Sequence, residues 1–522
     1  MTHRVLRSFL ACLGLVALLA PAPGVAGPRE AFQHALQRWE LDEAASLAKR
    51  LDTPADRAFA AGLVALYRGD YRAAADTLAQ AAAVAEGTPL ASQIGTYLQL
   101  ARNAAEIFAG RPPERTDVVD LRFAADEDRL LSPYADAALR AALPKLSQVL
   151  QVEPDGPIRV EFLDDPAKLA RVTQLPLSAV RTTGTVGVTK HGRIVMVTPR
   201  VMLRGYPWLD TLVHETVHYL LVLRTGNNAP VWLQEGLAKY LETVWRTDDP
   251  PPLDPAVAHL LRRALERDDL VTFDEMHPSI ALLPTQERAA LAYAQVETMI
   301  GVLVALHGHA GLRRLLDEVA AGRSAEEALA AAHGGSFESF LAVWKARMRE
   351  ATRGARPGKL PQRRFRSGHE PPDVDADLLG DAFSALGGGK VRKHARIGQL
   401  LERRGHLRAA AFEYEKARRA GERAARDPQL ARRLGHVYLM LGEAAKAAPL
   451  LGEAFAVRPD DASLATDVAE ARLAAGDRAG ALAAARVAIR TNPFIGPVHC
   501  VLAETLGDED RRRQERRWCR PR

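Results

Sequence analysis

The sequence predicts an α+β domain flanked on both sides by all-α helical hairpins. Three observations carry that expectation. Stretches between 117 and 200 alternate apolar and polar residues as strands do. The chain on either side of them reads as helix. In the last third, glycines recur at a nearly steady interval, at Gly405, Gly442 and Gly476. Composition agrees. Hydrophobic residues at 47% and charged residues at 26% suit a folded chain, and aromatics at only 6% favour helix over an all-β architecture. A length of 522 residues leaves room for about three domains. The net charge of +6 is the small difference between 70 basic and 64 acidic residues, a mixed surface that argues against a nucleic-acid binder. The basic run 511–522 reads either as a solvated end or as a contact for an acidic membrane or wall polymer.

The elements follow in chain order. Residues 1–26 have the layout of an export signal: a basic start, an apolar stretch at 9–20 too short to span a bilayer, and small residues up to Ala26. Cys12 lies inside the apolar stretch, which argues against lipidation. The expectation is an exported chain, periplasmic or extracellular, with an uncleaved anchor as the alternative. No later segment reads as long and apolar enough to cross a membrane, so no transmembrane segment is expected after cleavage. Of three cysteines, Cys500 and Cys519 remain; they either pair in an oxidising compartment or stay free.

Residues 27–112 read as helical. Within them, 55–84 has a turn at Gly69-Asp70 and a small residue, Gly62, where two helices would meet. The central part, 115–352, begins with strand-like stretches at 117–124 and 157–164, separated by a helix at 132–150 that Ser132 is expected to cap. A strand, a turn at Lys190-His191-Gly192 and a second strand follow over 184–200. Helix dominates from 206 to about 350. The segment 353–390 is rich in proline, glycine and charge and reads as a linker. Residues 391–518 contain three segments that align with one another, at 395–421, 431–460 and 465–493, with Pro459 and Pro493 at matching ends and a final helix pair closing the stack. These segments, and 55–84 more weakly, resemble tetratricopeptide repeats. The resemblance implies stacked helix pairs with a surface for peptides or partner proteins.

The chemistry is concentrated in "TLVHETVHYLLV" (211–222). His214 and His218 stand four residues apart, so a helix puts both on one face, where two neutral imidazoles can bind one cation. Glu215 projects beside that pair, within reach of a water but outside the ligand set. The chain turns at 224–230, where Gly226 can end the helix, Asn228 can cap the next and Pro230 can open it. A second helix then brings Glu235 back, with Gly236 allowing close approach. The pattern His214-Glu215-x-x-His218 with Pro230-x-Trp232-Leu233-x-Glu235-Gly236-x-Ala238 resembles the gluzincin metallopeptidases, and more narrowly the bacterial peptidase MA-like domain that often accompanies tetratricopeptide repeats.

That resemblance implies an α+β zincin-like fold, Zn2+ as cofactor, His214, His218 and Glu235 as metal ligands, and Glu215 as catalytic base in peptide-bond hydrolysis. It also implies a tyrosine on a later helix stabilising the oxyanion. Tyr293 is the candidate, with His277 a weaker one. The related aspartate four residues after the ligand glutamate is absent here; Lys239 stands there, leaving Glu242 or Asp210 to buttress a histidine. Zincins commonly hold substrate on an edge strand, and 193–200 is a candidate for it, with an internal strand as the other reading. Peptides or proteins are the implied substrates. Two alternatives stay open: an inactive repeat-based scaffold, and a zinc hydrolase acting on a non-peptide amide of the cell wall.

Overall fold

The computed structural model describes residues 27–358, 360, 364–366, 383 and 389–522. The expected export signal and much of the expected linker lie outside the described residues. The chain is mostly helical with one small mixed sheet. It divides into two compact units, Met1–Val197 with Leu212–Gln362, and Thr198–Thr211 with Arg363–Arg522. The break at 362/363 falls inside the expected linker 353–390, whereas no break falls at the expected boundary 112–115, because the N-terminal helices pack onto the sheet; in addition, 198–211 packs among the C-terminal helices.

In the first unit, α1 (Pro28–Gln37), α2 (Leu41–Ala48), α3 (Pro54–Arg68), α4 (Tyr71–Val84) and α5 (Leu90–Ile107) precede the sheet. Gly62 on α3 sits against Leu78 on α4; an added Cβ would lie 2.6 Å from the leucine Cγ, so glycine sets the closeness of this hairpin. The strands are β1 (Glu114–Arg115), β2 (Val119–Phe123), β3 (Ile158–Leu163), β4 (Gly187–Lys190) and β5 (Arg193–Val197), in the order β1-β2-β3-β5-β4. β2, β3 and β5 run parallel, while β1 and β4 are antiparallel edges. The connection from β2 to β3 carries α6 (Ser132–Leu150). A preceding 3-10 turn runs into it, so Ser132 begins the helix and does not cap it. α7 (Pro166–Thr173) and α8 (Leu177–Thr183) lead from β3 to β4.

One face of the sheet is apolar: Val119, Leu121, Phe123, Val160, Phe162, Ile194 and Met196 are buried, and the Phe123 and Phe162 rings stack at 5.6 Å. The other face is polar yet dry. Arg193 Nε lies 3.0 Å from Glu161 Oε2, with both side chains at most 1% exposed. Burying an ion pair is costly unless further hydrogen bonds satisfy it. The pair gains one from the α3–α4 hairpin and one from Val172 O, 3.2 Å from Arg193 Nη2, and the hairpin also serves the neighbouring arginines. The Tyr71 hydroxyl donates to Glu161, Arg122 donates to Gly69 O at 2.8 Å, and Arg159 donates to Tyr67 O at 3.0 Å. Those carbonyls end α3, where unpaired acceptors and the helix dipole both favour a cation.

The remaining helices of this unit are the larger part of α9 (Trp208–Thr225), then α10 (Val231–Leu241), α11 (Pro255–Arg267), α12 (Phe273–Met276), α13 (Gln286–Ala320), α14 (Ala325–His333) and α15 (Phe337–Ala351). The expectation that no later segment is long and apolar enough to cross a membrane is corrected by α13: over 35 residues it has a stretch that meets both criteria. Its composition has another cause in the fold, since Leu291, Val296, Met299, Ile300, Leu303, Leu312 and Leu316 are buried, and Gly308 breaks the helix with φ 61 and ψ −170.

The second unit stacks helix pairs: α16 (Gly389–Arg403) with α17 (Leu407–Arg419), the single turn α18 (Glu422–Ala425), α19 (Pro428–Met440) with α20 (Ala444–Val457), α21 (Ala462–Ala474) with α22 (Arg478–Thr491), and α23 (Gly496–Thr505) with α24 (Glu509–Trp518). The packing rule of α3–α4 recurs. Gly398 sits against Tyr414 and Gly435 against Leu451, each sixteen residues later, as Gly62 does against Leu78. The turn glycines Gly405, Gly442 and Gly476 are left-handed at φ 77, 76 and 89. Cys500 and Cys519 form a disulfide joining α23 to the end of α24. The basic run is a helix to Trp518, and the Arg522 side chain then reaches Asp467 and Glu470.

Candidate metal centre

α9 buries Leu212, Val213, Val217, Leu220 and Leu221, which fixes its rotation. His214 and His218 then share the adjoining, half-buried face, and Glu215 is 5% exposed. Gly226 and Asn227, at φ 61 and 66, reverse the chain in left-handed conformations. Pro230 occupies the cap position of α10 without a side-chain bond, so the expected cap at Asn228 is not formed. Gly236 lets α10 press on α13: an added Cβ would lie 2.8 Å from Val296 O.

This packing delivers Glu235 to the histidines. Its Oε2 is 3.2 Å from His214 Nε2 and 3.5 Å from His218 Nε2, and the two imidazole nitrogens are 3.2 Å apart. Tetrahedral zinc with bonds near 2.0–2.1 Å requires donor separations of about 3.3–3.4 Å. The donor set fits a zinc ion in type and in spacing. A second observation agrees: Glu235 Oε2 is buried and accepts no well-aligned hydrogen bond despite its two close nitrogens. The three atoms are disposed as ligands sharing a centre, not as partners sharing a proton. Among the described residues they form the one group of three or more candidate metal-binding side chains.

The surroundings orient this set. Glu242 Oε2 lies 3.1 Å from His214 Nδ1, and Lys239 pairs with the other carboxylate oxygen. A proton on Nδ1 donated to Glu242 leaves the Nε2 lone pair directed at the centre. Of the two candidates for that buttress, Asp210 is instead 3.7 Å from Arg490 in the second unit. The electrostatics follow. Burial works against a charged His214, but the Glu235 and Glu242 carboxylates beside it overcome it and raise the imidazole to about 10, a proton that a metal ion taking the Nε2 lone pair would displace. Burial likewise opposes ionised Glu242, yet Lys239 and His214 pull it down to about 2. Both histidines hold Glu235 well below the usual carboxylate range, again against burial.

Glu215 is held from the sheet. Thr189 Oγ1 lies 2.7 Å from Glu215 Oε2 and 2.8 Å from Glu215 O. Gly187 leaves room for the carboxylate, since a Cβ there would meet Oε1 at 2.7 Å. Both residues lie on β4, the edge strand. The expectation that 193–200 forms that edge is corrected: β5 is interior, between β3 and β4, because the 190–192 turn folds the preceding strand outside it.

Tyr293 is half-buried on α13, a turn before Glu297. His277 is exposed at the end of α12. The sequence reading missed Thr189, Gly187 and Glu297. Burial raises the Glu297 carboxyl to about 7, with Glu242 adding to the rise and Lys239 and His214 opposing it. Only tertiary packing makes these residues neighbours of the centre; within their own segments they are an ordinary strand residue, a strand glycine and a helix acid.

The geometry defines a class, a half-buried two-histidine, one-carboxylate centre with a second acid, Glu215, next to it on the motif helix. Residues 138–350 match the model of the Peptidase MA superfamily, a span that contains α9, α10 and α13. No curated protein matches the chain. A solved structure titled "Crystal structure of APC/C hetero-tetramer Cut9-Hcn1" is similar over 92% of this chain and 83% of that chain, at 12% identity and a TM-score of 0.20.

Proposed function

We propose that the protein is an exported zinc metallopeptidase of the gluzincin type whose helical repeats engage a substrate or partner protein. The observation that carries this reading is the convergence of His214 Nε2, His218 Nε2 and Glu235 Oε2 at 3.2–3.5 Å. The match of 138–350 to the Peptidase MA superfamily supports it independently. The α+β arrangement, with an edge strand beside the motif helix, agrees with a zincin-like domain. The disulfide and the leader-like N-terminus support export to an oxidising, periplasmic or extracellular compartment.

His214, His218 and Glu235 would hold zinc, which when bound supplies Lewis acidity toward a scissile carbonyl and a nucleophile at neutral pH. Glu242 keeps His214 in the ligating tautomer. Glu215 accepts the proton of the attacking water and returns it to the leaving amine nitrogen. Thr189 holds one carboxylate oxygen of Glu215 and Gly187 makes space for the other, so the base keeps one orientation throughout. Tyr293 is the candidate donor to the developing oxyanion.

The test is to measure zinc per chain and cleavage of unfolded casein, for the wild type and Glu215→Gln. The expected result is one tightly held zinc in both and cleavage in the wild type alone. Zinc in both with cleavage in neither would leave a scaffold.

A further inference from the structure

A second pair of imidazoles, remote in sequence from the first, is built to the same spacing. His307 Nε2 and His333 Nδ1 are 3.2 Å apart, the separation of His214 Nε2 and His218 Nε2, and the two rings stand at 78°. Both side chains are half-buried in the first unit, so solvent reaches the pair and can complete a coordination shell.

The chain makes local sacrifices to place these rings. His307 is the last regular residue before the break at Gly308, whose φ 61 and ψ −170 only glycine adopts readily. Gly311, three residues beyond, abuts the His307 side chain so closely that any Cβ there would collide with it. His333 lies in the last turn of α14, closed by Gly334 at φ 80, and its ring packs edge-on to Phe340 at 5.5 Å. Three glycines and an aromatic ring thus serve to hold two ring nitrogens facing one another.

The electrostatic setting favours a cation. The first regular stretch of α13 breaks after His307 and α14 ends at His333, so the partially negative C-terminal ends of two helical stretches meet at the pair. No acidic side chain within ligand spacing completes a group of three here among the described residues. A site of two neutral nitrogens suits a borderline transition-metal dication over a hard cation that demands oxygen.

We propose that His307 and His333 form a second site for a transition-metal dication of the zinc class, weaker than the three-ligand centre and completed by water. Bound there, the ion staples α14 to the break in α13, the helix whose earlier turns press on Gly236 and carry Tyr293 and Glu297. The proposal does not depend on the peptidase reading.

The competing account is a hydrogen bond between two neutral imidazoles, and the experiment separates the two. Zn2+ is titrated into the metal-stripped chain by calorimetry, for the wild type, His218→Ala, His333→Asn and His307→Gln. The expected result is two equivalents for the wild type and one for each variant. Whichever equivalent His218→Ala retains should be the weaker one. His333→Asn keeps a hydrogen-bonding group near the Nδ1 position and so preserves packing while removing the ligand; circular dichroism checks that it folds. A single equivalent in the wild type, lost with His218, overturns the proposal. A second equivalent that survives both His333→Asn and His307→Gln overturns it as well. One equivalent that survives His218→Ala but not His333→Asn would uphold this site and sink the peptidase centre, so the two readings fail separately.

Discussion

Thr189 has one hydroxyl proton and two acceptors from the same residue, Glu215 O and Oε2. Whichever it serves, it ties the proposed base to the edge strand. Thr189→Val keeps the branched shape and removes that donor. Zinc content should stay unchanged while kcat falls by about tenfold or more, and Thr189→Ser should restore most of it. Loss of zinc, or no rescue by serine, would mean a packing role only. Glu297 gives a prediction about stability. Its folded pKa, about 7, lies above the ordinary value of 4.5, so the folded protein holds that proton more tightly than the unfolded chain. The stability it contributes is therefore full below about pH 4.5 and is lost as pH rises through about 7. Glu297→Gln should then stabilise the protein at pH 8 by on the order of 1–3 kcal/mol and change little at pH 4.5, read from thermal melts of the metal-free chain. Equal effects at both pH values would remove burial of the charge as the cause.

Among the elements, glycine contacts differ in what stands opposite them. A Cβ at Gly236 meets the Val296 carbonyl at 2.8 Å, a backbone atom of α13 that cannot rotate away. A Cβ at Gly435 meets Leu451 Cγ, also at 2.8 Å, but a leucine side chain can shift. Gly236→Ala should cost about 1–3 kcal/mol and weaken zinc retention by moving Glu235, whereas Gly435→Ala should cost less and leave zinc alone, as measured by denaturant unfolding and metal analysis. The same contrast shows what a sequence can disclose. The four-residue spacing of His214 and His218, the return of Glu235 after Gly226, and the recurring Gly62, Gly398 and Gly435 are local patterns with a fixed helical period, so they were legible. The partners of Asp120, Arg122, Arg159 and Glu161 were not. Alternation marks those residues as one face of a strand but does not say whether that face meets water or, as here, the carbonyl end of α3. Strand order was hidden for the same reason: β4 and β5 are both short and adjacent in the chain, and pairing decides that β5 is inside and β4, with Gly187 and Thr189, lies at the edge.

For the molecule as a whole, the division into two units does not follow the order of the chain. Residues 198–211 belong with the C-terminal helices. Trp208 is fully buried and its Nε1 donates to Ile489 O at 2.9 Å, while Tyr206 N donates to Thr491 O at 3.0 Å. Gly205, left-handed at φ 71, runs so close to Thr491 O that no side chain fits. Yet Trp208 also begins α9, the helix that continues to His214 and His218. Removing residues 353–522, as a domain boundary drawn from the sequence would suggest, strips these partners from the segment and exposes two large aromatic side chains together with the first turn of the motif helix. Burial of such side chains contributes about 1.5–3 kcal/mol each. A chain ending at 352 should therefore melt well below the full-length protein, bind a hydrophobic dye, and hold zinc less tightly because α9 frays from its start. Serine at both Tyr206 and Trp208 in the truncated chain should abolish the dye binding without restoring zinc affinity. A truncated chain that melts with the full-length protein and keeps its zinc would show that the repeats contribute only a binding surface and no support to the motif helix.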